Sequence, residues 1–88
     1  MKILFETSFE KDIRKIIDNK TKTLILQTIQ NVKNAETLRE IKNLKKLQSF
    51  KNYYRIKIGD YRIGLELSKN TFIFVRCLNR KDIYRYFP

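Results

Sequence analysis

In the fifteen residues from Tyr53 to Leu67, YYRIKIGDYRIGLEL, the cations Arg55, Lys57 and Arg62 take polar positions in a period-two pattern that runs on both sides of Gly59-Asp60. Tyr54, Ile56 and Ile58, then Tyr61, Ile63, Leu65 and Leu67, take the alternating apolar positions, so the stretch predicts two strands with one apolar and one basic face. If Gly59-Asp60 is a two-residue turn with Gly59 supplying a positive φ, Ile58 faces Tyr61, Lys57 faces Arg62, and Arg55 faces Gly64. Like charges opposed in this way cost a few tenths to about 1 kcal/mol. They make little sense for stability and good sense for an anion. Three converging cations can clamp a phosphate and stabilise negative charge that develops on it, and Gly64 is expected to leave open floor beside them. The plainer reading is a solvated basic face; the clustering within one hairpin favours the phosphate site.

Histidine is absent, which removes Ser/His/Asp and Cys/His catalysis and the common zinc sites together. The single Cys77 lies in an apolar run and is expected to be a buried, inert thiol, with no disulfide framework. Two-metal phosphoryl chemistry needs converging carboxylates, yet the second half of the chain holds only Asp60, Glu66 and Asp82, and Asp60 reads as a turn residue. No glycine-rich phosphate loop or dinucleotide motif is present. The sequence therefore predicts no metal and no cofactor. Any catalysis must run on Lys, Arg, Tyr and at most one carboxylate.

The 20 Lys and Arg against 9 Asp and Glu leave a net charge of +11 on 88 residues, a density typical of proteins that meet polyanions. Residues 1–40 carry 8 basic and 6 acidic side chains, whereas residues 41–88 carry 12 and 3. A nucleic acid should meet the second half. With 42% hydrophobic residues, two Gly and one Pro, residues 1–88 are expected to form one small domain whose core gives limited stability. No apolar run approaches a membrane span, and the start MKILFETSFEKD breaks into charge too soon for a signal peptide, so a cytoplasmic protein is expected. Docking on an anionic membrane would need a basic amphipathic helix, and the helical half is nearly charge-balanced.

The elements that must position the hairpin begin with a short strand, Lys2 to Phe5. A helix follows, with Thr7 and Glu10 as a capping box and Phe9, Ile13, Ile16 and Ile17 as its buried stripe. A second helix is predicted from Lys22 to Lys33, with Ile25, Ile29 and Val32 inward and Leu24 and Leu26 widening the apolar face. KTKT (residues 20–23) reads as the short connection of a helical hairpin. From Asn34 to Asn52, Leu38, Ile41, Leu44 and Leu47 fall three apart, which fits a short helix and then an irregular segment. Lys69-Asn70 is a second tight turn, leading into TFIFVRCLN, which is apolar on both sides and belongs within the sheet. The order β-α-α-β-β-β predicts an α+β fold: a mostly antiparallel twisted sheet of about four strands, helices on one face, and the basic face free.

The closing NRKDIYRYFP interleaves basic and aromatic residues as RNA-contacting surfaces do. Folded across the sheet, it would bring Arg80, Lys81, Tyr84, Arg85 and Tyr86 towards the hairpin cations; otherwise it is a solvated tail with Ile83 and Phe87 tucked into the core. Tyr53, Arg76, Arg80, Arg85 and Tyr86 are the candidate RNA-binding residues.

With its element order, the hairpin YYRIKIGDYRIGLEL and the tail RKDIYRYF, the chain resembles RelE/ParE-superfamily toxins of type II toxin-antitoxin systems over nearly its whole length. The RelE-like branch of that superfamily cuts messenger RNA on the ribosome, and the ParE-like branch poisons DNA gyrase. The resemblance implies a catalytic set of Arg55, Lys57 and Arg62, a later cation at Lys81 or its neighbour Arg80, and a terminal tyrosine. An ungapped match puts that tyrosine on Phe87, which has no hydroxyl; Tyr84 and Tyr86 are nearest, and Tyr84 is favoured. Many relatives have a His where this chain has Asn79.

The chemistry so implied is attack by the RNA's own 2'-hydroxyl on the adjacent phosphate, leaving a 2',3'-cyclic phosphate and a 5'-hydroxyl. Arg55 and Arg62 suit the phosphate clamp, and Lys57 suits the base, since neighbouring cations help its ammonium release a proton. Lys81 or Arg80 would stabilise charge or deliver a proton, and Tyr84 or Tyr86 would stack on a displaced base. Orientation of the message by the ribosome would supply much of the rate. The resemblance also implies an acidic antitoxin partner, with operator DNA bound only through the toxin-antitoxin complex. A ParE-like gyrase inhibitor and a non-catalytic RNA-binding member are the alternatives.

Overall fold

Alternating apolar residues set the sheet, and its chain order sets what lies on each face. A computed structural model describes all 88 residues. The elements are β1 (Lys2–Phe5), α1 (Thr7–Arg14), α2 (Asn19–Asn34), a 3-10 turn (Leu38–Glu40), β2 (Leu44–Lys46), β3 (Tyr53–Ile58), β4 (Tyr61–Ser68), β5 (Thr71–Asn79) and α3 (Ile83–Tyr86). The sheet has five strands in the order β1-β5-β4-β3-β2, with β1 parallel to β5 and every other pair antiparallel. The α+β reading and the order of elements hold; the strand count was one short, because β2 is only three residues long. Its Leu44 sits three from Leu47 and Ile41 and so mimics a helical stripe, but Leu44 pairs with Ile56, Lys45 with Arg55 and Lys46 with Tyr54.

The core lies between the sheet and the two long helices. Phe9 and Ile16 from the α1 region and Ile25 and Val32 from α2 meet Ile56, Ile58, Ile63, Leu65, Phe72, Phe74 and Cys77 from the sheet. Each fully buried side chain of this size contributes about 1.5–3 kcal/mol relative to exposure. The spacing of the β5 core residues changes from two to three at Val75, because a bulge opposite Gly64/Leu65 inserts one residue there. That extra residue keeps both Phe74 and Cys77 on the core face and leaves Arg76 paired across from Gly64.

The helical half departs from expectation in three places. Thr7 makes no cap: Glu6 is the N-cap residue without a side-chain bond, and the helix start is tied to β5 instead, by Glu6 N–H on the Phe74 carbonyl and Ser8 Oγ on the Val75 carbonyl. KTKT is not a connection; it lies in the first turns of α2, which Asp18 caps by accepting from the Thr21 N–H and hydroxyl. Because α1 ends at Arg14, Ile17 falls in the connecting loop and is 88% exposed, and Leu24 and Leu26 likewise face outward. No helix is long and apolar enough to cross a membrane.

Candidate functional site

The β3–β4 hairpin forms in the register its sequence dictates. Ile58 pairs with Tyr61, Lys57 with Arg62 and Arg55 with Gly64, and Gly59 takes a φ of +53° in the two-residue turn. Because β2 adds Lys45 opposite Arg55, two rungs on the face away from α1 and α2 hold opposed cations: Lys45 with Arg55, and Lys57 with Arg62. Strand geometry puts successive rungs on one face about 6.6 Å apart. Lys57 is exposed, whereas Arg55 and Arg62 are partly covered. Arg62 Nη1 donates to the Gly59 and Tyr61 carbonyls, at 2.8 and 3.0 Å, which turns its guanidinium back over the hairpin turn.

The tail crosses this face. The Arg80 N–H donates to the Asp60 carbonyl at 2.7 Å, so the chain leaves β5 beside the hairpin turn, and α3 then leads to Phe87. Ile83 and Phe87 are buried while Tyr84, Arg85 and Tyr86 stay exposed, so the tail folds across the sheet by burying its two apolar side chains rather than standing off as a solvated tail. The open floor expected at Gly64 is filled. A Cβ there would lie 2.7 Å from Phe87 Cγ and Cδ2, so the ring rests directly on the glycine backbone and Gly64 is itself buried. Tyr53 packs edge-on against Phe87 with centroids 5.5 Å apart, and Phe50 packs edge-on against Tyr53 at 5.9 Å.

Between the β2–β3 loop and the tail lies a groove of about 430 Å³, lined by Lys45, Lys46, Phe50, Arg55, Tyr84 and Phe87 with the intervening loop residues and Pro88. No carboxylate side chain lines it. Lys46 Nζ donates to the Phe50 carbonyl at 2.8 Å and so holds the loop, leaving Lys45 and Arg55 as the cations that face an incoming anion. Their fields add, and a groove of this size lies in the range that holds small ligands.

The site residues read from the sequence are thus split. Arg55 and Tyr84 share the groove; Lys57 and Arg62 lie one rung towards the hairpin turn, next to the tail segment of Arg80 and Lys81. Tyr84 and Tyr86 separate: Tyr84 lines the groove, and Tyr86 lies under the Arg76 guanidinium, 5.8 Å from its ring centroid. Tyr53 is packed between Phe50 and Phe87, and Arg85 is exposed in α3. Lys45 and Lys46 were not among the residues singled out, since Leu44 and Leu47, three apart, continue a helical stripe and leave the two lysines as its solvated side. The signal that could have found them is the charge itself, two lysines flanked by leucines shortly before the hairpin.

Arg76 has a different occupation from the RNA contact first assigned to it. Its Nε and Nη2 donate to the two oxygens of Asp12, at 2.8 and 3.1 Å, and the Cys77 N–H donates to Asp12 Oδ2 at 2.9 Å. Where β1 ends, α1 thus supplies a buried carboxylate that takes up the free edge of β5. The hydrogen bonds that Arg76 donates to Asp12 hold it more firmly protonated than a free guanidinium. Arg76 is the only one of the 20 Lys and Arg with a carboxylate at salt-bridge distance, so the other basic side chains form no ion pair within the chain. Burial pushes the Cys77 thiol up to about 12, with Asp12 adding to the effect, which keeps it protonated and unreactive. No trio of Cys, Asp or Glu converges on a point that could hold a metal ion.

Comparison with known proteins agrees with this architecture. The family model described as the ParE toxin of type II toxin-antitoxin system, parDE, matches residues 3–84. Over 90 aligned residues the chain is 43% identical to Toxin RelE3 of Methanocaldococcus jannaschii, spanning the full length of both. It also matches a chain in the crystal structure of a RelB-RelE antitoxin-toxin complex from Methanococcus jannaschii, with a TM-score of 0.81 and 40% identity over 97% of this chain and 99% of that one. A RelE-RelB complex from Pyrococcus horikoshii shares the fold, with a TM-score of 0.72 at 16% identity over 90% of this chain and 93% of that one. The chain belongs to the ParE toxin family of type II toxin-antitoxin systems.

Proposed function

We propose that this toxin is a metal-independent endoribonuclease that cleaves messenger RNA on the ribosome and so stops translation. The observation that carries the reading is the groove without acidic side chains that Lys45, Arg55 and Tyr84 line together, continued one rung along the same face by Lys57 and Arg62. Arg55 and Lys45 bind the scissile phosphate and stabilise the charge of the phosphorane. Lys57, exposed beside them, takes the 2'-hydroxyl proton as its neutral amine. Lys81 or Arg80, which enter from the hairpin-turn side, stabilise the departing 5'-oxygen, which takes its proton from the Lys81 ammonium or from water, and Tyr84 stacks on a base drawn into the groove. With Phe87 buried on Gly64, the position that an ungapped match would give to a tyrosine serves packing, and Tyr84 is the aromatic residue left facing the cations. The site has no imidazole, so it relies on the ribosome to orient the message.

The relative with 40% identity was solved as an antitoxin-toxin complex, and the +11 charge suits an acidic antitoxin as the partner that neutralises this chain and carries it to operator DNA. The site of action is then the cytoplasm, where messages are translated. The family model's own name favours a second reading, inhibition of DNA gyrase. Purified protein added to ribosomes translating a defined message separates the two. The ribonuclease predicts cuts within the reading frame, with 2',3'-cyclic phosphate and 5'-hydroxyl ends that Arg55→Ala does not produce. An intact message together with loss of gyrase supercoiling supports the second reading.

A further inference from the structure

We propose that Phe50, in the loop between β2 and β3, is a base-stacking residue for single-stranded RNA, forming the wall of the groove opposite Tyr84. Phe50 is 44% exposed although it is a large apolar side chain, and Tyr84 on the other side is 60% exposed. Water gains nothing from the apolar face of either ring, but a nucleobase, which has an apolar face of its own and needs a partner once unstacked from its neighbours, gains a great deal. The Phe50 ring is also held in place. Its edge-on contact with Tyr53 is backed by Tyr53 on Phe87 and by Phe87 on the Gly64 backbone, a relay of three rings standing on the sheet. Lys46, bonded to the Phe50 carbonyl, pins the loop from the other side and acts as a positioning residue. Lys45 and Arg55, opposed in register, line the same groove as the two rings, with no acidic side chain among its lining residues. Two rings and two cations in one groove match the repeat of a single strand: base, phosphate, base. Fixing the ring in advance lowers the ordering cost of binding.

This inference rests on the ribonuclease reading, and its test keeps the two apart. The chain has no Trp, so Phe50→Trp places a single indole reporter at the wall. The probe is a short single-stranded RNA methylated at every 2'-oxygen, which can bind but cannot be cut. Stacking predicts that Phe50→Trp binds within about threefold of wild type, with its emission quenched at saturation. Phe50→Leu, which keeps the apolar bulk, should bind roughly tenfold more weakly or worse. The salt dependence of Phe50→Leu should match wild type, whereas Lys45→Gln should lower the slope by about one. Wild-type affinity in Phe50→Leu, or unchanged indole emission at saturation, overturns the stacking role and leaves the ribonuclease reading standing. Should Phe50→Leu fail to fold, the emission of Phe50→Trp decides alone. Wild-type protein that does not bind the RNA overturns the stacking role alone, because the ribonuclease reading, which needs the ribosome, is decided by the cleavage assay on translating ribosomes.

Discussion

Arg55 sits at the meeting point of two conflicting demands. Lys45 and Gly64 are its cross-strand partners, so its charge faces a like charge on one side and a glycine capped by Phe87 on the other. Opposed like charges are destabilising, so Arg55→Ala should leave thermal stability unchanged or slightly raised while lowering cleavage at least 100-fold, since it removes a phosphate donor. Paired melting curves and single-turnover rates check this; loss of both together would mean that Arg55 is a packing residue. Gly64 makes the converse case. Gly64→Ala puts a methyl group 2.7 Å from the Phe87 ring, and an overpacked site of this kind costs about 1–3 kcal/mol. Combined with Phe87→Ala, which vacates the space, the cost should be strongly sub-additive, and a double-mutant cycle in urea measures it. Additive costs would mean that the ring does not rest there in solution.

Among the elements, the edge of β5 depends on a single carboxylate. Asp12 accepts two bonds from Arg76 and one from the Cys77 N–H, and it is almost fully buried. Removing one partner of such a pair strands the rest, so Asp12→Ala should cost about 3 kcal/mol by denaturant titration, whereas an exposed Glu10→Ala should cost little. The β3–β4 hairpin was legible from its residues because the turn chemistry of Gly59-Asp60 and a strict period of two point to one register, which a slip by one residue would turn inside out. The turn at Lys69-Asn70 was legible for the same reason, although Lys69 carries a φ of +55°. Hidden from a local reading were β2, whose three residues are too few to show a period, the bulge at Val75, and the α2 start at Asp18, because the polar KTKT after it reads as a connection. The contact of Phe87 with Gly64 joins residues more than twenty positions apart, and no local pattern encodes it. In the site, the hairpin cations were readable from spacing, whereas Lys45 and Lys46 depend on β2 and so went unseen.

At the scale of the whole molecule, one ion pair among 20 basic side chains leaves a strongly positive surface concentrated in the second half of the chain. Binding to RNA should therefore weaken steeply with salt, and an acidic partner should associate fast at low ionic strength. The core places one further constraint on conditions. The thiol of Cys77 titrates at about 12 in the folded chain against 9.0 in an unfolded one, so the native state keeps a proton that the unfolded state releases. Its contribution to stability is then constant below pH 9 and falls as pH rises from there towards 12. The stability of wild type over Cys77→Ala should shrink across that window, and thermal melts at stepped pH check it. The central claim is cleavage of messages by the groove that holds Arg55, and the most direct measurement is the mapping of RNA 5' ends after inducing wild type and Arg55→Ala in a bacterial host. Growth arrest with new 5' ends inside translated frames, absent from the folded variant, is the predicted result. Arrest by wild type with intact messages and altered DNA supercoiling would contradict it.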